Sequence, residues 1–193
     1  MTQPCELIEA LRPIVAVLDA SHTRFCIGGS VASSWHGAPR TTLDVDLAAE
    51  LDEQGAKATV AALQGDYYVS ESAALDAVRR RSCFNLLHLA TAFKIDVFVS
   101  KDRDFDRSVQ ERAILAVLDG SPPLPVRMAS AEDIVLTKLE WYRLGEEGSE
   151  RQWNDVRMVT AVQAEQLDRP YLELWAQRLG VADLLRRLTA EVL

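Results

Sequence analysis

Cysteine is scarce in this chain: Cys5, Cys26 and Cys83 are the only three in 193 residues, widely spaced and with no CxxC pair. An odd, scattered set argues against a disulfide framework and reads as free buried thiols. Histidine is equally sparse, and His22, His36 and His88 lack metal-ligand spacing, which argues against a structural zinc. No apolar run approaches the roughly 18 residues that cross a bilayer, so no membrane association is expected. The opening stretch MTQPCELIEALRPIVAVLDA has no basic leader and carries acids, so it does not read as a signal peptide. The expected location is the cytoplasm. Basic charge is in deficit, with 21 Lys and Arg against 29 Asp and Glu, a net charge of −8. That balance argues against nonspecific duplex DNA binding, which rests on phosphate neutralisation. It leaves a nucleotide substrate open, because a metal ion reverses the local charge of an acidic site.

What is present is an ordinary core-forming composition, 48% hydrophobic and 26% charged, in a chain long enough for one domain or a small pair. Leu7, Leu11, Ile14 and Leu18 fall on one helical face, predicting a helix over 5–20. A short strand over 24–27 then runs into Gly28-Gly29, and Ser30 is placed as the N-cap of a short helix over 31–36. Gly37-Ala38-Pro39 ends that helix. Residues 42–49 alternate as a strand, and 52–64 and 71–80 read as helices on either side of Tyr67–Val69. CFNLLHLA and FKIDVFVS form an antiparallel hairpin turning near Thr91-Ala92. The composition shifts after SPPLPVR (121–127), and from Ser130 onward the pattern is helical. The expected organisation is an α+β domain over 1–127 and a smaller helical domain over 128–193.

The chemistry concentrates in GGSVASSWHGAPRTTLDVDL, residues 28–47, and in KIDVFVS. In a strand, Asp44 and Asp46 share one face, with Leu43, Val45 and Leu47 on the other. The same alternation puts Lys94, Asp96 and Phe98 opposite Ile95, Val97 and Val99. Aspartate is disfavoured in strands, and like charges this close repel unless a cation lies between them. Three carboxylates in two otherwise apolar strands suit Mg²⁺, and two such ions can clamp an in-line phosphoryl displacement. The plain alternative is three solvent-facing strand residues. At the other end, a strand entering Gly28, Gly29 and Ser30 before a helix offers backbone N–H groups and a hydroxyl to an anion such as a triphosphate.

Gly29-Ser30, thirteen residues, then Asp44-Val45-Asp46, with Asp96 on a later strand, resembles the DNA polymerase β-type nucleotidyltransferase superfamily. Together with EDIVLTKLEWYR and RQWNDVRM downstream, the wording is similar to bacterial nucleotidyltransferases of the abortive-infection toxin (AbiEii) type and their relatives. The resemblance implies a polymerase-β-like domain, a mixed sheet flanked by helices, followed by a small helical bundle. It implies an enzyme with two Mg²⁺ ions that moves a nucleoside monophosphate from a nucleoside triphosphate to an acceptor hydroxyl. Asp44, Asp46 and Asp96 carry over as the catalytic, metal-holding acids. Gly28, Gly29, Ser30, Arg40, Lys138 and Asp155 carry over as nucleotide-binding residues. The acceptor stays open among a tRNA, a protein and a small molecule. The alternative is a nucleotide-binding toxin–antitoxin component acting mainly through a protein partner.

The helical half adds its own signal. Ala131, Ile134, Val135, Leu139 and Tyr142 share one helical face with Lys138 at its centre. A lysine there either snorkels outward or meets a buried anion. Asp155 aligns with Met158, Val159 and Val162 and would orient Lys138 or an arginine, or form a structural ion pair. Arg40 would contact a phosphate or pair with Asp44 or Asp46. Lys94 would neutralise the carboxylates when metal is absent. His36 reads as closing the short helix, Arg79-Arg80-Arg81 as a solvated helix end, and Trp141, Trp153 and Trp175 as core.

Overall fold

The computed structural model describes residues 4–192. The chain forms two compact units: residues up to Gly28 with Thr41–Met128, and Gly29–Arg40 with the chain from Ala129 onward. The polypeptide therefore passes between them three times, and the short segment 29–40 belongs with the C-terminal helices.

The first unit holds the sheet. Helix α1 (Pro4–Ala20) is followed by β1 (Phe25–Ile27), β2 (Asp44–Ala49), α3 (Glu53–Leu63), β3 (Tyr67–Tyr68) and α4 (Glu71–Arg80). Then come β4 (Cys83–His88), β5 (Lys94–Val99), α5 (Asp104–Arg112), β6 (Ile114–Leu118) and β7 (Leu124–Met128). The seven strands form one mixed sheet in the order β3-β4-β5-β2-β1-β7-β6. Parallel β2 and β5 lie at its centre, with β1 antiparallel to β2 and β4 antiparallel to β5. The period-2 pattern explains the layering: Val45, Leu47, Ile95 and Val97 are buried while Asp44, Asp46, Lys94 and Asp96 are half-buried. Leu11, Ile14 and Leu18 of α1 are fully buried, each worth about 1.5–3 kcal/mol in transfer terms. The Tyr67 hydroxyl donates to the Ala10 carbonyl, fixing α1 against β3. Side-chain caps start the following helices, with Asp52 accepting from Gly55 N–H at 2.7 Å and Ser70 from Ala73 N–H at 3.3 Å.

The hairpin at residues 83–99 forms as expected, its turn carrying Ala92 at φ +55°. SPPLPVR is not only a boundary: its second half is β7. Pro125 is tolerated there because β1 is three residues long and meets β7 at Ile27–Met128, so no β1 residue lies opposite the missing N–H. Leu43 precedes β2 and is exposed, so it is not a core residue.

The second unit comprises α2 (Gly29–Trp35), α6 (Ala131–Leu144), α7 (Glu150–Gln163), α8 (Arg169–Arg178) and α9 (Ala182–Val192). Ser130 caps α6 by accepting from Asp133 N–H, and Asp168 caps α8 with Pro170 in its first turn. The fully buried Asp133 carboxylate accepts from Ser130 Oγ at 2.8 Å and Tyr171 Oη at 2.6 Å. The buried face of α6 holds Ile134, Val135, Leu139 and Tyr142, as its periodicity predicts. Two helical assignments differ. Met158 and Val162 are exposed, and Asp155 is buried with Trp153, Val156 and Val159 instead. Trp153 and Trp175 are core, whereas Trp141 is 46% exposed. Cys26 is buried and Cys83 half-buried, neither in a disulfide, while the side chain of Cys5 lies outside the described residues. Among the described residues, no helix is long and apolar enough to cross a membrane.

Candidate functional site

In the first unit, strand register brings the predicted acids together. β2 and β5 pair in parallel with Asp46 opposite Asp96 and Asp44 opposite Lys94. All four side chains therefore project from the same face of the sheet. Thr42 Oγ1 donates to Asp44 Oδ1 at 2.6 Å, and Lys94 Nζ lies 2.7 Å from Asp96 Oδ2. Gly28 N–H donates to the Asp46 carbonyl at 2.9 Å, tying the end of β1 to the acidic strand. On the far side of β5, Asn85 pairs with Asp96 and Cys83 with Phe98.

Electrostatics agree with this convergence of charge. The Cys83 thiol is pushed up to about 12, first by burial and then by the negative charges of Asp96 and Asp46. Lys94 is held above its ordinary value by its bond to Asp96, with burial opposing and the charges of Asp96, Asp44 and Asp46 adding. Asn85 and Thr42 were missed in the sequence. CFNLLHLA reads as an apolar run, although its alternate positions Cys83, Asn85 and Leu87 lie on the less buried face.

These residues offer hard carboxylate oxygens, the donor type that suits Mg²⁺. Lys94 holds one Asp96 oxygen and Thr42 one Asp44 oxygen, and among the described residues no three His, Cys, Asp or Glu side chains form a ready metal-binding group. The donor set fits in chemistry and register, with Lys94 standing where a cation would compete for Asp96.

The second unit carries a cationic group. Lys138, central on the buried face of α6, donates from Nζ to Asp155 Oδ2 on α7 at 2.9 Å. Arg40 Nε lies 3.4 Å from the same oxygen. The side chains of Lys138 and Asp155 are only 11% and 5% exposed. Two cations thus share one carboxylate, leaving a net positive charge, and Arg40 Nε is buried without a hydrogen-bond partner. Such a cluster is suited to an anion. The ion pair of Arg40 is with Asp155.

The stretch WHGAPR is what delivers Arg40. His36 Nε2 donates to the Ala129 carbonyl at 2.8 Å, and Gln163 Nε2 donates to the His36 carbonyl at 3.1 Å. Gly37 has φ +114°, and a Cβ there would sit 2.6 Å from Val162 Cβ. Ser34 Oγ bridges the Ala38 carbonyl and Arg40 N–H at 3.3 Å each. His36 therefore does more than close the helix: it fixes the loop to the segment that leads into α6 and to α7. Ser30 is not the N-cap. The helix begins at Gly29, whose φ of +54° turns the chain one residue earlier, and Ser30 is buried in the first turn. The remaining predicted basic cluster is a solvated helix end, with Arg79 paired to Glu53 and Arg80 to Asp76.

No protein-family model matches the chain, and no curated protein matches it. Solved structures do. The antibiotic-resistance factor ANT(2'')-Ia superposes with a TM-score of 0.55 at 18% identity, covering 94% of this chain and 96% of that one. An antigenic nucleotidyltransferase-like protein from Paracoccidioides brasiliensis gives 0.51 at 17% identity, covering 93% and 91%. The lincosamide antibiotic adenylyltransferase LnuA, solved with lincomycin bound, gives 0.50 at 12% identity, covering 81% and 96%. This is the nucleotidyltransferase fold. On that nucleotidyltransferase framework, the D-x-D residues Asp44 and Asp46 and the third acid Asp96 occupy the two central strands of the sheet.

Proposed function

We propose that the protein is a Mg²⁺-dependent nucleotidyltransferase that moves a nucleoside monophosphate from a nucleoside triphosphate to an acceptor hydroxyl. The observation that carries this reading is the register of β2 on β5, which sets Asp46 beside Asp96 with Asp44 on the same face. Asp44, Asp46 and Asp96 would hold the ions, whose bound charge would offset that of the triphosphate and of the leaving pyrophosphate. Asp96 accepts the proton of the acceptor hydroxyl. That oxygen bonds to the α-phosphorus as the bond to the β-phosphate bridge breaks, and pyrophosphate leaves. Arg40 and Lys138, two cations on one carboxylate, offer positive charge to a phosphate, and Asp155 orients both. Gly28, Gly29 and Ser30 offer backbone and hydroxyl donors to a phosphate. Positioning and charge neutralisation provide the rate.

A hydroxylated small molecule is the acceptor class we favour. ANT(2'')-Ia has been solved with adenylyl-2''-tobramycin, and LnuA is a lincosamide adenylyltransferase. The net charge of −8 also disfavours a polyanionic acceptor. The test is incubation with each α-labelled nucleoside triphosphate, Mg²⁺ and a panel of aminoglycosides and lincosamides beside a small-molecule extract and total RNA. Label on a small molecule together with pyrophosphate release supports the reading; label on RNA or protein reassigns the acceptor. Nucleotide binding without pyrophosphate release under every condition overturns it.

A further inference from the structure

The two edges of the sheet are unlike. β3 at one edge is two residues long, a length that offers little to another strand. β6 at the other edge is five residues, ILAVL, with no charge and no proline. Leu115 and Val117 project from one face at 80% and 53% exposure, and Ile114 from the other at 40%. Native sheets protect such edges with charges, prolines or bulges, because the outer row of backbone N–H and C=O groups accepts another strand. None of those devices is present in β6.

We propose that β6 is a self-association edge, at which a second copy of this chain adds its own β6 antiparallel about Ala116. The sequence is nearly symmetric about that residue, so each position meets an aliphatic one: Leu115 faces Val117 of the second copy, and Ile114 faces Leu118 of the second copy. The exposed Leu115 and Val117 of both copies then form one continuous apolar row, the cross-strand arrangement that stabilises antiparallel pairs. Charge bears on the sense of pairing through Asp119, which follows the strand and is exposed: antiparallel pairing sets it beside Ala113 of the second copy, whereas in-register parallel pairing sets Asp119 against Asp119. The interface is isologous, with each copy using the same patch, as expected of a two-fold dimer.

Sedimentation velocity of the full chain tests this. Wild type is expected to shift towards twice the chain mass as concentration rises through the micromolar range. Leu115→Lys with Val117→Lys should remain monomeric at every concentration while keeping the wild-type circular dichroism and melting temperature, since both side chains are solvent-facing. Register is checked by oxidation: a mixture of Leu115→Cys and Val117→Cys chains should cross-link, and Leu115→Cys chains alone should not. A wild type that stays monomeric, a double-lysine variant that dimerises like wild type, or cross-linking of Leu115→Cys to itself would each overturn the proposal.

Discussion

Replacing Asp155 with alanine removes the carboxylate that separates two cations. Lys138 Nζ and Arg40 Nε lie 2.9 and 3.4 Å from the same oxygen, so they stand at most about 6 Å apart, where two unit charges repel by about 3 kcal/mol at an effective dielectric of about 20. Removing one partner of a buried pair costs about 3–5 kcal/mol by itself. Arg40 is 22% exposed and can turn outward, which lowers the expectation for Asp155→Ala to about 2–4 kcal/mol. In a chain of this length that is a fall of about 4–16 °C in Tm. Lys138→Met is milder, about 1 kcal/mol, because Asp155 keeps Arg40. Asp155→Leu with Lys138→Met should recover most of the loss, since no buried pair of like charges remains. Urea unfolding followed by far-UV circular dichroism measures all three. An Asp155→Ala variant within about 0.5 kcal/mol of wild type, or a Lys138→Met variant that is the less stable of the two, would refute the shared-carboxylate account.

Three further outcomes are expected. Gly37→Ala should destabilise by about 2–4 kcal/mol, combining strain at φ +114° with the clash against Val162, whereas Gly28→Ala, with open space around it, should be nearly silent in the same urea titration. Lys94→Met should tighten Mg²⁺ binding about tenfold in calorimetry, about 1.4 kcal/mol, because the cation competing for Asp96 is gone; unchanged or weaker binding would remove Lys94 from that role. The Cys83 thiol should resist iodoacetamide at pH 8–9 and gain reactivity only as pH nears about 12. Its native value lies above the ordinary 9.0, so both states hold the proton below pH 9, and between 9 and 12 only the unfolded chain readily gives it up. Stability should therefore fall through that window. Peptide mapping that shows rapid labelling of Cys83 at pH 8 would contradict the burial assigned to it.

The carboxylate face was legible because strand alternation is local: Val45, Leu47, Ile95 and Val97 are buried, and the three aspartates lie on the opposite positions. Lys138 at the centre of the α6 face was legible for the same reason. What was not legible depends on contacts between distant residues. His36 meets Ala129 across 93 residues and Gln163 meets His36 across 127, and no local period encodes the grouping of segment 29–40 with the C-terminal helices. β7 was hidden by its proline, which only the short reach of β1 makes tolerable. Spacing predicts Met158 and Val162 on the face of Asp155, yet burial follows Val156 and Val159, because α7 turns that side to α6. Residue type predicts Trp141 as core, whereas its position in α6 is half exposed.

If the aspartates of β2 and β5 serve nucleotidyl transfer, their removal from a folded chain must abolish it. Wild type and the Asp44→Ala, Asp46→Ala double variant are incubated with α-labelled nucleoside triphosphate, Mg²⁺ and acceptor panel, and pyrophosphate release and label transfer are followed, with melting temperature as the folding control. The account predicts transfer by the wild type and none above background by the folded double variant. Equal transfer by both, with the fold intact, would contradict it.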